Sequence, residues 1–377
     1  EDFIEMKIGM FSEIHGEISG AIADLGTFLP YVLGAIIIGG LDASSIFITF
    51  GLMYIFTGYF YRIPIPVQPM KIIGAAILVH HLTAGEVAAA GIMMGLTLFI
   101  LAITGLASRL AGLTPDSVTL GIQAGLGVSL AMLGIKYIKT DLLLGLIIML
   151  FMLFLFQNRR FPASIAGVVG GTLLAFVLHP ELHWPGLQLG FYWPHLILPA
   201  WTDFARGFTL AYLPQLPLTL TNSVLVTAIL AHELFPKQSE KVNEKNLCLT
   251  LGIGNLLAAP LGGFAMCHGS GGLAAHYRFG GRTGFTPALM GIILLFTGIF
   301  LGPAGVDLLQ IIPQAVLGGL LFFSGVDLVR GVQDFGDKKA LFCFAVVLII
   351  SIAVNPALAF LVGLILHFLF NKGWVKI

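Results

Sequence analysis

Two clusters of residues able to hold an anion or pass a proton interrupt an otherwise apolar chain. The first, Pro64-Ile-Pro-Val-Gln-Pro-Met-Lys71, offers an amide at Gln68 and a cation at Lys71. The second, Gly262-Gly-Phe-Ala-Met-Cys-His-Gly-Ser-Gly-Gly272, offers a thiol, an imidazole, a hydroxyl and several glycines. Pro64, Pro66 and Pro69 each lack a backbone N–H and push the preceding residue toward extended backbone, so no helix runs through the first cluster. Helix can begin near Met70, with Ile72 to Leu78 as its apolar continuation. That leaves Gln68 and Met70 beside an exposed helix N-terminus. In the second cluster Gly269, Gly271 and Gly272 permit close backbone approach, with helix from about Gly271 to Tyr277 and Ser270 as a candidate N-cap.

Lys71 falls inside a hydrophobic segment, where an ionised side chain costs at least about 2.5 to 3.5 kcal/mol unless it is paired or hydrated. A bound oxyanion or Asp24 could be its partner. Asp24 has the wrong sign for an anion site, so it must be protonated, paired with Lys71, or turned away, and it is a candidate for proton coupling. A carboxylate that holds a kink around Gly26 and Pro30 is the plain structural alternative. His268 reads as a ligand donor, a proton carrier or a satisfied buried imidazole, and Cys267 as a packing residue or a functional thiol. The other histidines, including His80-His81 and His179/His183, fall near segment ends and read as interfacial. Glu17, close to the start of segment one, reads as facing headgroups or capping that helix.

The elements that must position these residues are membrane spans. Hydrophobic residues make up 57% of the chain and charged residues 10%, against about 25% charged in a soluble domain, and the mean hydropathy is +0.97. Runs such as Leu142 to Phe156 are apolar on nearly every face. The fold class expected is an all-α membrane protein of about fourteen transmembrane segments: 16–38, 43–61, 65–80, 85–107, 116–134, 140–157 and 162–178, then 207–232, 245–261, 264–277, 286–302, 306–328, 339–354 and 356–371. A polar interruption at 179–206, with Trp184, Trp193 and Trp201 as an interfacial strip, separates a first seven-segment repeat (1–178) from a second (207–377). With both termini cytoplasmic, fifteen of the nineteen Lys and Arg residues fall inside and three outside, Lys71 being the last, which is a strong positive-inside bias.

Seven spans per half is odd, so the second repeat is inverted. Gly20 to Pro30 of segment one aligns with Ala211 to Thr221 of segment eight, placing Asp24 opposite Gln215, and the order helix, helix, break recurs. Inversion aims the two half-helix N-termini of segments three and ten at one another near the bilayer midplane. Unpaired N–H groups and positive dipole ends there make an anion site, each end contributing roughly 0.3 to 2 kcal/mol. Paired breaks of this kind mark the substrate site of secondary transporters.

Ala23-Asp-Leu-Gly-Thr-Phe28, Pro66-Val-Gln-Pro-Met-Lys71, Gln215-Leu-Pro-Leu-Thr219 with Asn222-Ser223, and Cys267-His-Gly-Ser-Gly-Gly-Leu-Ala274 followed by Tyr277-Arg-Phe-Gly280 resemble the signature stretches of the molybdate transporter family, within the sulfate permease superfamily. The resemblance covers essentially the whole chain. It implies a core domain of segments one to four and eight to eleven, a gate domain of segments five to seven and twelve to fourteen, and elevator-like movement of core against gate. It also implies molybdate bound by Gln68, Met70 and Lys71 opposite Cys267, His268, Gly269, Ser270 and Gly271, with Asp24 and Gln215 beside the pocket. The chain stops soon after the last span, so no cytoplasmic STAS domain is expected, and a homodimer is a possible assembly.

The function expected is uptake of molybdate, with tungstate as the closest analogue. Sulfate shares charge and shape, so donor spacing must discriminate it; another anion, a nucleobase held by Asp24, and an anion channel are the rivals. An enzyme is not expected, since no nucleophile-base or metal-ligand pattern occurs. Cys248, Cys267 and Cys343 are too far apart for a zinc site or a disulfide framework, so no metal or cofactor is expected. Net charge of +0 points to no nucleic-acid partner. The compact chain favours a bacterial inner membrane.

Overall fold

The computed structural model describes residues 2–107, 109, 115–155, 163–180, 182–183, 189–302, 311–330 and 337–375, with side chains from residue 14 onward. Fourteen helical elements follow the expected order among the described residues. The first half holds α1 (Asp2–Ile37), α2 (Ala43–Tyr61), α3 (Lys71–His80), α4 (Ala84–Thr104), α5 (Asp116–Ile138), α6 (Leu142–Leu155) and α7 (Ala163–Leu178). The second holds α8 (Trp201–Leu234), α9 (Glu244–Ala258), α10 (Ser270–Arg278), α11 (Phe285–Phe300), α12 (Gln314–Arg330), α13 (Lys338–Ala353) and α14 (Pro356–Asn371). Five of them, the described part of α1 with α2, α4, α5 and α8, are long and apolar enough to cross a membrane.

Local signals set many of these limits. Asp42 accepts the Ser45 N–H and starts α2, while Arg62 ends it in left-handed backbone at φ 60°. Thr83 and Glu86 form a reciprocal capping box at α4, satisfying two of the orphan donors every helix start carries. Asn355 caps α14 with Pro356 in its first turn, where a missing N–H costs nothing. Pro214 and Pro217 remove donors inside α8, and the helix widens to π geometry at Gly207–Tyr212 and Thr219–Val226 on either side of them. α8 begins at Trp201, six residues before the expected start, where the irregular run over 189–200 ends.

Helices pair closely where glycines let backbones meet. A Cβ on Gly51 of α2 would lie 2.8 Å from the Gly291 carbonyl oxygen of α11, and one on Gly95 of α4 would lie 3.0 Å from the Gly252 carbonyl oxygen of α9. Small residues at such contacts replace the hydrophobic drive that a membrane does not supply. Buried apolar side chains gather in separate clusters. One joins α1, α2, α3, α4, α8, α9 and the α10 approach to α11. Another joins α5, α6, α7, α12, α13 and α14 with the facing sides of α1 and α3.

The two breaks come together. After α2 the chain runs extended to a two-residue strand, β1 (Gln68–Pro69), and its counterpart β2 (Met266–Cys267) precedes α10. They pair antiparallel, Gln68 opposite Cys267 and Pro69 opposite Met266, and Met70 N–H extends the pairing to the Ala265 carbonyl at 2.9 Å. The free edge of β2 is closed by Asn255, whose side chain accepts Met266 N–H and donates to Met266 O, each at 2.9 Å. This bridge sets α3 and α10 running away from a shared centre.

Candidate functional site

α3 and α10 each begin where the bridge ends, and their first N–H groups have different fates. Gln215 of α8 reaches across, its Oε1 accepting Ile72 N–H at 2.8 Å and Ile73 N–H at 3.4 Å, while its Nε2 donates to Thr219. Gln215 therefore acts as an external cap for α3, whose own N-cap position, Met70, has no polar side chain. Among the described residues the N–H groups of Lys71, Ser270 and Gly271 form no hydrogen bond, so three donors stay available at the facing helix starts. Gly271 is exposed, and a Cβ there would meet nothing within 4 Å. Ser270 is the first residue of α10 rather than its cap. Gly269 takes the cap position, and the Ser270 hydroxyl donates to Asn222 Oδ1 at 2.5 Å.

Lys71 is half-buried and does not pair with Asp24. It faces a small cavity lined by Gly26, Thr27 and Tyr31 of α1 and by Ser324 and Asp327 of α12, which continues into a space of about 180 Å³ reaching Ser164 and Arg330. The larger apolar groove between α2 and α9, about 280 Å³, has only Thr49 and Thr250 as polar lining and lacks the convergent polar groups a binding site needs.

Asp24 is wholly buried and surrounded by donors. Oδ1 accepts from Gln68 Nε2 at 2.5 Å and from the Thr27 hydroxyl at 3.1 Å, and Oδ2 accepts from the Tyr54 hydroxyl. His276 Nε2 lies 3.4 Å from Oδ2, with neither side chain exposed. Gln68 spends its second amide hydrogen on Thr27 Oγ1. A carboxylate accepts and cannot donate, so the amide is oriented by its partner, with Oε1 turned to Gly269.

The remaining expected site residues lie behind this front. Met70 is fully buried in the apolar cluster. Cys267 packs with its sulfur 4.0 Å from the Pro69 carbonyl and in contact with the Ser223 hydroxyl. His268 is buried with both ring nitrogens engaged, Nδ1 with the Pro66 carbonyl at 2.8 Å and Nε2 with Thr250 at 3.0 Å, and its ring stands edge-on to Tyr61. The β1–β2 pairing brings the starts of α3 and α10 together with Gln68 against Gly269, Asp24 and Gln215 bond to Gln68 and to the first turn of α3, and His268 is turned away toward Pro66 and Thr250.

Two sequence expectations change here. His276, read with the histidines near segment ends as interfacial, is wholly buried, because it lies on the face of α10 that packs against α1, with Nδ1 2.9 Å from the Gly20 carbonyl. Glu17 is buried too. Oε1 accepts the N–H groups of Arg282 and Thr283, and Oε2 accepts the Thr286 hydroxyl, so it serves the start of α11 in the opposite half. Tyr54, Thr27, His276 and Asp327 were not singled out from sequence. For His276 and Asp327 the signal was present, an ionisable residue inside an apolar segment.

Broken helices whose first turns meet inside a bundle of apolar helices, with a cation and free amides at the junction, define a helical membrane transporter. The comparisons with known proteins agree. The model of the family described as "Molybdate transporter of MFS superfamily" matches residues 16–130 and 207–328. Molybdate transporter 2 of Arabidopsis thaliana is 30% identical over 97% of this chain and 89% of its own length, and molybdate transporter 1 of the same plant is 31% identical over 93% and 87%. The solved transmembrane domain of a cyanobacterial bicarbonate transporter, BicA, superposes with a TM-score of 0.69 at 21% identity, covering 94% of this chain and 97% of that one. The chain belongs to the molybdate transporter family.

Proposed function

We propose that this protein is a secondary active transporter that imports molybdate, binding the tetrahedral dianion between the first turns of α3 and α10. The observation that carries the reading is the set of N–H groups at Lys71, Ser270 and Gly271 that form no hydrogen bond among the described residues, at helix starts tied together by the β1–β2 pairing, with the Lys71 side chain lining the cavity alongside α1 and α12. Backbone amides, a helix-dipole end and a nearby cation together replace the water around an oxyanion. The names of the Arabidopsis relatives supply molybdate in particular. Tungstate, nearly equal in size and charge, is the expected analogue.

Two inverted seven-helix repeats underlie the proposed mechanism, and helix packing supports them. Exchanging each helix with the one seven places on turns α2 against α11 into α9 against α4, α1 against α10 into α8 against α3, and α13 against α14 into α6 against α7, and all of these contacts occur. The separate apolar clusters support a core of α1–α4 and α8–α11 and a gate of α5–α7 and α12–α14. Because β1 and β2 tie the two half-helices together, the site moves as one piece with the core in an elevator-like cycle. Asp24 is the candidate for proton coupling, and the distribution of Lys and Arg supports cytoplasmic termini.

Radiolabelled molybdate uptake into proteoliposomes tests the reading, with proton and sodium gradients imposed separately and tungstate, sulfate and uracil as competitors. Saturable uptake blocked by tungstate is expected. Uptake better blocked by sulfate or uracil, or a conductance too fast for a carrier, overturns it.

A further inference from the structure

Lys71 opens α3 at the proposed anion centre, yet its side chain is directed to the neighbouring helices. It lines a cavity of about 20 Å³ with Gly26, Thr27 and Tyr31 of α1 and Ser324, Asp327 and Leu328 of α12. That is room for about one water, and a four-oxygen anion needs several times more. Among the described residues neither the Lys71 ammonium nor the Asp327 carboxylate has a hydrogen bond or an ion pair of its own. They attract one another across this space.

α12 is built to present that carboxylate. Ser324, Asp327 and Arg330 recur every third residue and so share one helix face, while Gly318 and Gly325 bring the helix backbone against α5. Gly26, Thr27, Ser324 and Asp327 also border the adjoining space of about 180 Å³, which reaches Arg330. Arg330 is exposed and stands at the end of α12 assigned above to the cytoplasm. Charge therefore alternates along the route from the site to water: Lys71, Asp327, Arg330. Asp327 has the wrong sign to guide an anion, and a carboxylate in a membrane segment is costly enough to need a role.

We propose that Asp327 is the resident counter-ion of Lys71, competing with the bound anion for it and so promoting release toward Arg330. The space between the two side chains is too small for an oxyanion, so an anion that takes the ammonium must draw it away from Asp327. When the anion leaves, Asp327 retakes the ammonium, and Lys71 is not left without a counter-charge inside the membrane. Two cations and one carboxylate leave a dianion half-neutralised, whereas the two cations alone would balance it. The carboxylate thereby weakens binding and shortens the lifetime of the complex, which a carrier that must discharge its substrate requires. Lys71 lies in the proposed core and Asp327 in the proposed gate, so movement of one against the other parts them and lets the anion be held more tightly in the opposite orientation. This inference rests on the oxyanion reading above and names the residue that sets release from that same site.

The test is calorimetric binding of molybdate to the purified full-length chain in detergent, joined to uptake kinetics in proteoliposomes. Asp327→Asn keeps the shape and removes the charge at an exposed position. It is expected to bind molybdate about five- to tenfold more tightly, with KM and maximal uptake falling together because release slows. Asp327→Glu, which keeps the carboxylate, is expected to restore both. A merely structural carboxylate would give weaker or unchanged binding in Asp327→Asn, and either result overturns the proposal. In a Lys71→Gln background there is no ammonium to compete for, so Asp327→Asn is expected to gain much less. An equal gain there makes Asp327 a plain repulsive charge and overturns the competition. If Asp327→Asn and Asp327→Ser both fail to fold, Asp327 is a structural anchor and the proposal falls. A wild type that binds no molybdate refutes the oxyanion reading itself, whereas a wild type that binds it beside an Asp327→Asn variant of equal affinity refutes the release role alone.

Discussion

Gly271 and Gly272 are neighbours in the first turn of α10, and the same methyl group added to each should do opposite things. At Gly272 a Cβ would lie 2.8 Å from Asp24 Oδ1, 2.8 Å from Pro66 Cβ and closer still to Gln68 Nε2. Ordinary contact needs more than 3 Å at each, so the Asp24–Gln68 pair must shift by several tenths of an ångström. Overpacking a tight site costs about 1–3 kcal/mol, and loosening a hydrogen bond to a charged group about 1.5–3 kcal/mol. Alanine recovers roughly 0.5–1 kcal/mol in a helix, which leaves Gly272→Ala destabilised by about 3 kcal/mol. At Gly271 the Cβ meets nothing within 4 Å, so stability should stay within about 0.5 kcal/mol. The new methyl instead enters the opening beside two free N–H groups, and molybdate affinity should fall about tenfold or more, the loss of one such contact. Denaturant unfolding in mixed micelles reads the first effect and calorimetry the second. In the double variant Gln68→Ala/Gly272→Ala the two costs should fall short of their sum by about 1 kcal/mol, since the shared clash is gone. Equal stabilities for Gly271→Ala and Gly272→Ala, or unchanged binding in Gly271→Ala, would refute the placement of the site.

Other perturbations separate scaffold from site. Gln215→Ala strands the N–H groups of Ile72 and Ile73 and should cost about 1–3 kcal/mol in the same unfolding assay, with Gln215→Glu, which keeps the acceptor, recovering most of it. Away from the helical core, Asp141 in the turn before α6 accepts from His179 at 2.7 Å, and this bond holds its carboxyl below the usual carboxylate range. A depressed folded value means the contribution is present above the unfolded value near pH 4 and is lost as pH falls through the folded one. Because both side chains are partly exposed, Asp141→Asn should cost under about 1 kcal/mol at neutral pH and nothing measurable in strong acid.

The breaks were legible because their causes are local. Pro64, Pro66 and Pro69 forbid helix whatever surrounds them, and the glycines at 269 and 272 mark close approach without reference to a partner, whereas Gly271 faces open space. Helix order was legible for a related reason, since apolar runs and their polar interruptions report burial directly. Roles that depend on distant partners were not. Gln215 aligned with Asp24 across the repeats, yet its work as a cap for α3 depends on a residue 143 positions away. Asp24 looked like a mate for Lys71 by charge alone. Its partners are Tyr54, Gln68 and Thr27 with His276, three of them neutral side chains whose direction no periodicity reveals. Glu17 capping a helix of the opposite half belongs to the same class.

The pairing of Gln68 with Cys267 also sets a schedule for synthesis. About 200 residues separate the partners, and at about 5–20 residues per second the second strand emerges roughly 10–40 s after the first. During that interval the first half must hold an extended, proline-bearing stretch and a half-helix whose leading N–H groups have neither Ala265 nor Gln215 to meet. Hydrocarbon cannot satisfy them. The nascent half therefore has to wait beside water or an insertion machine, and the binding centre is completed late, when the second half arrives to close it.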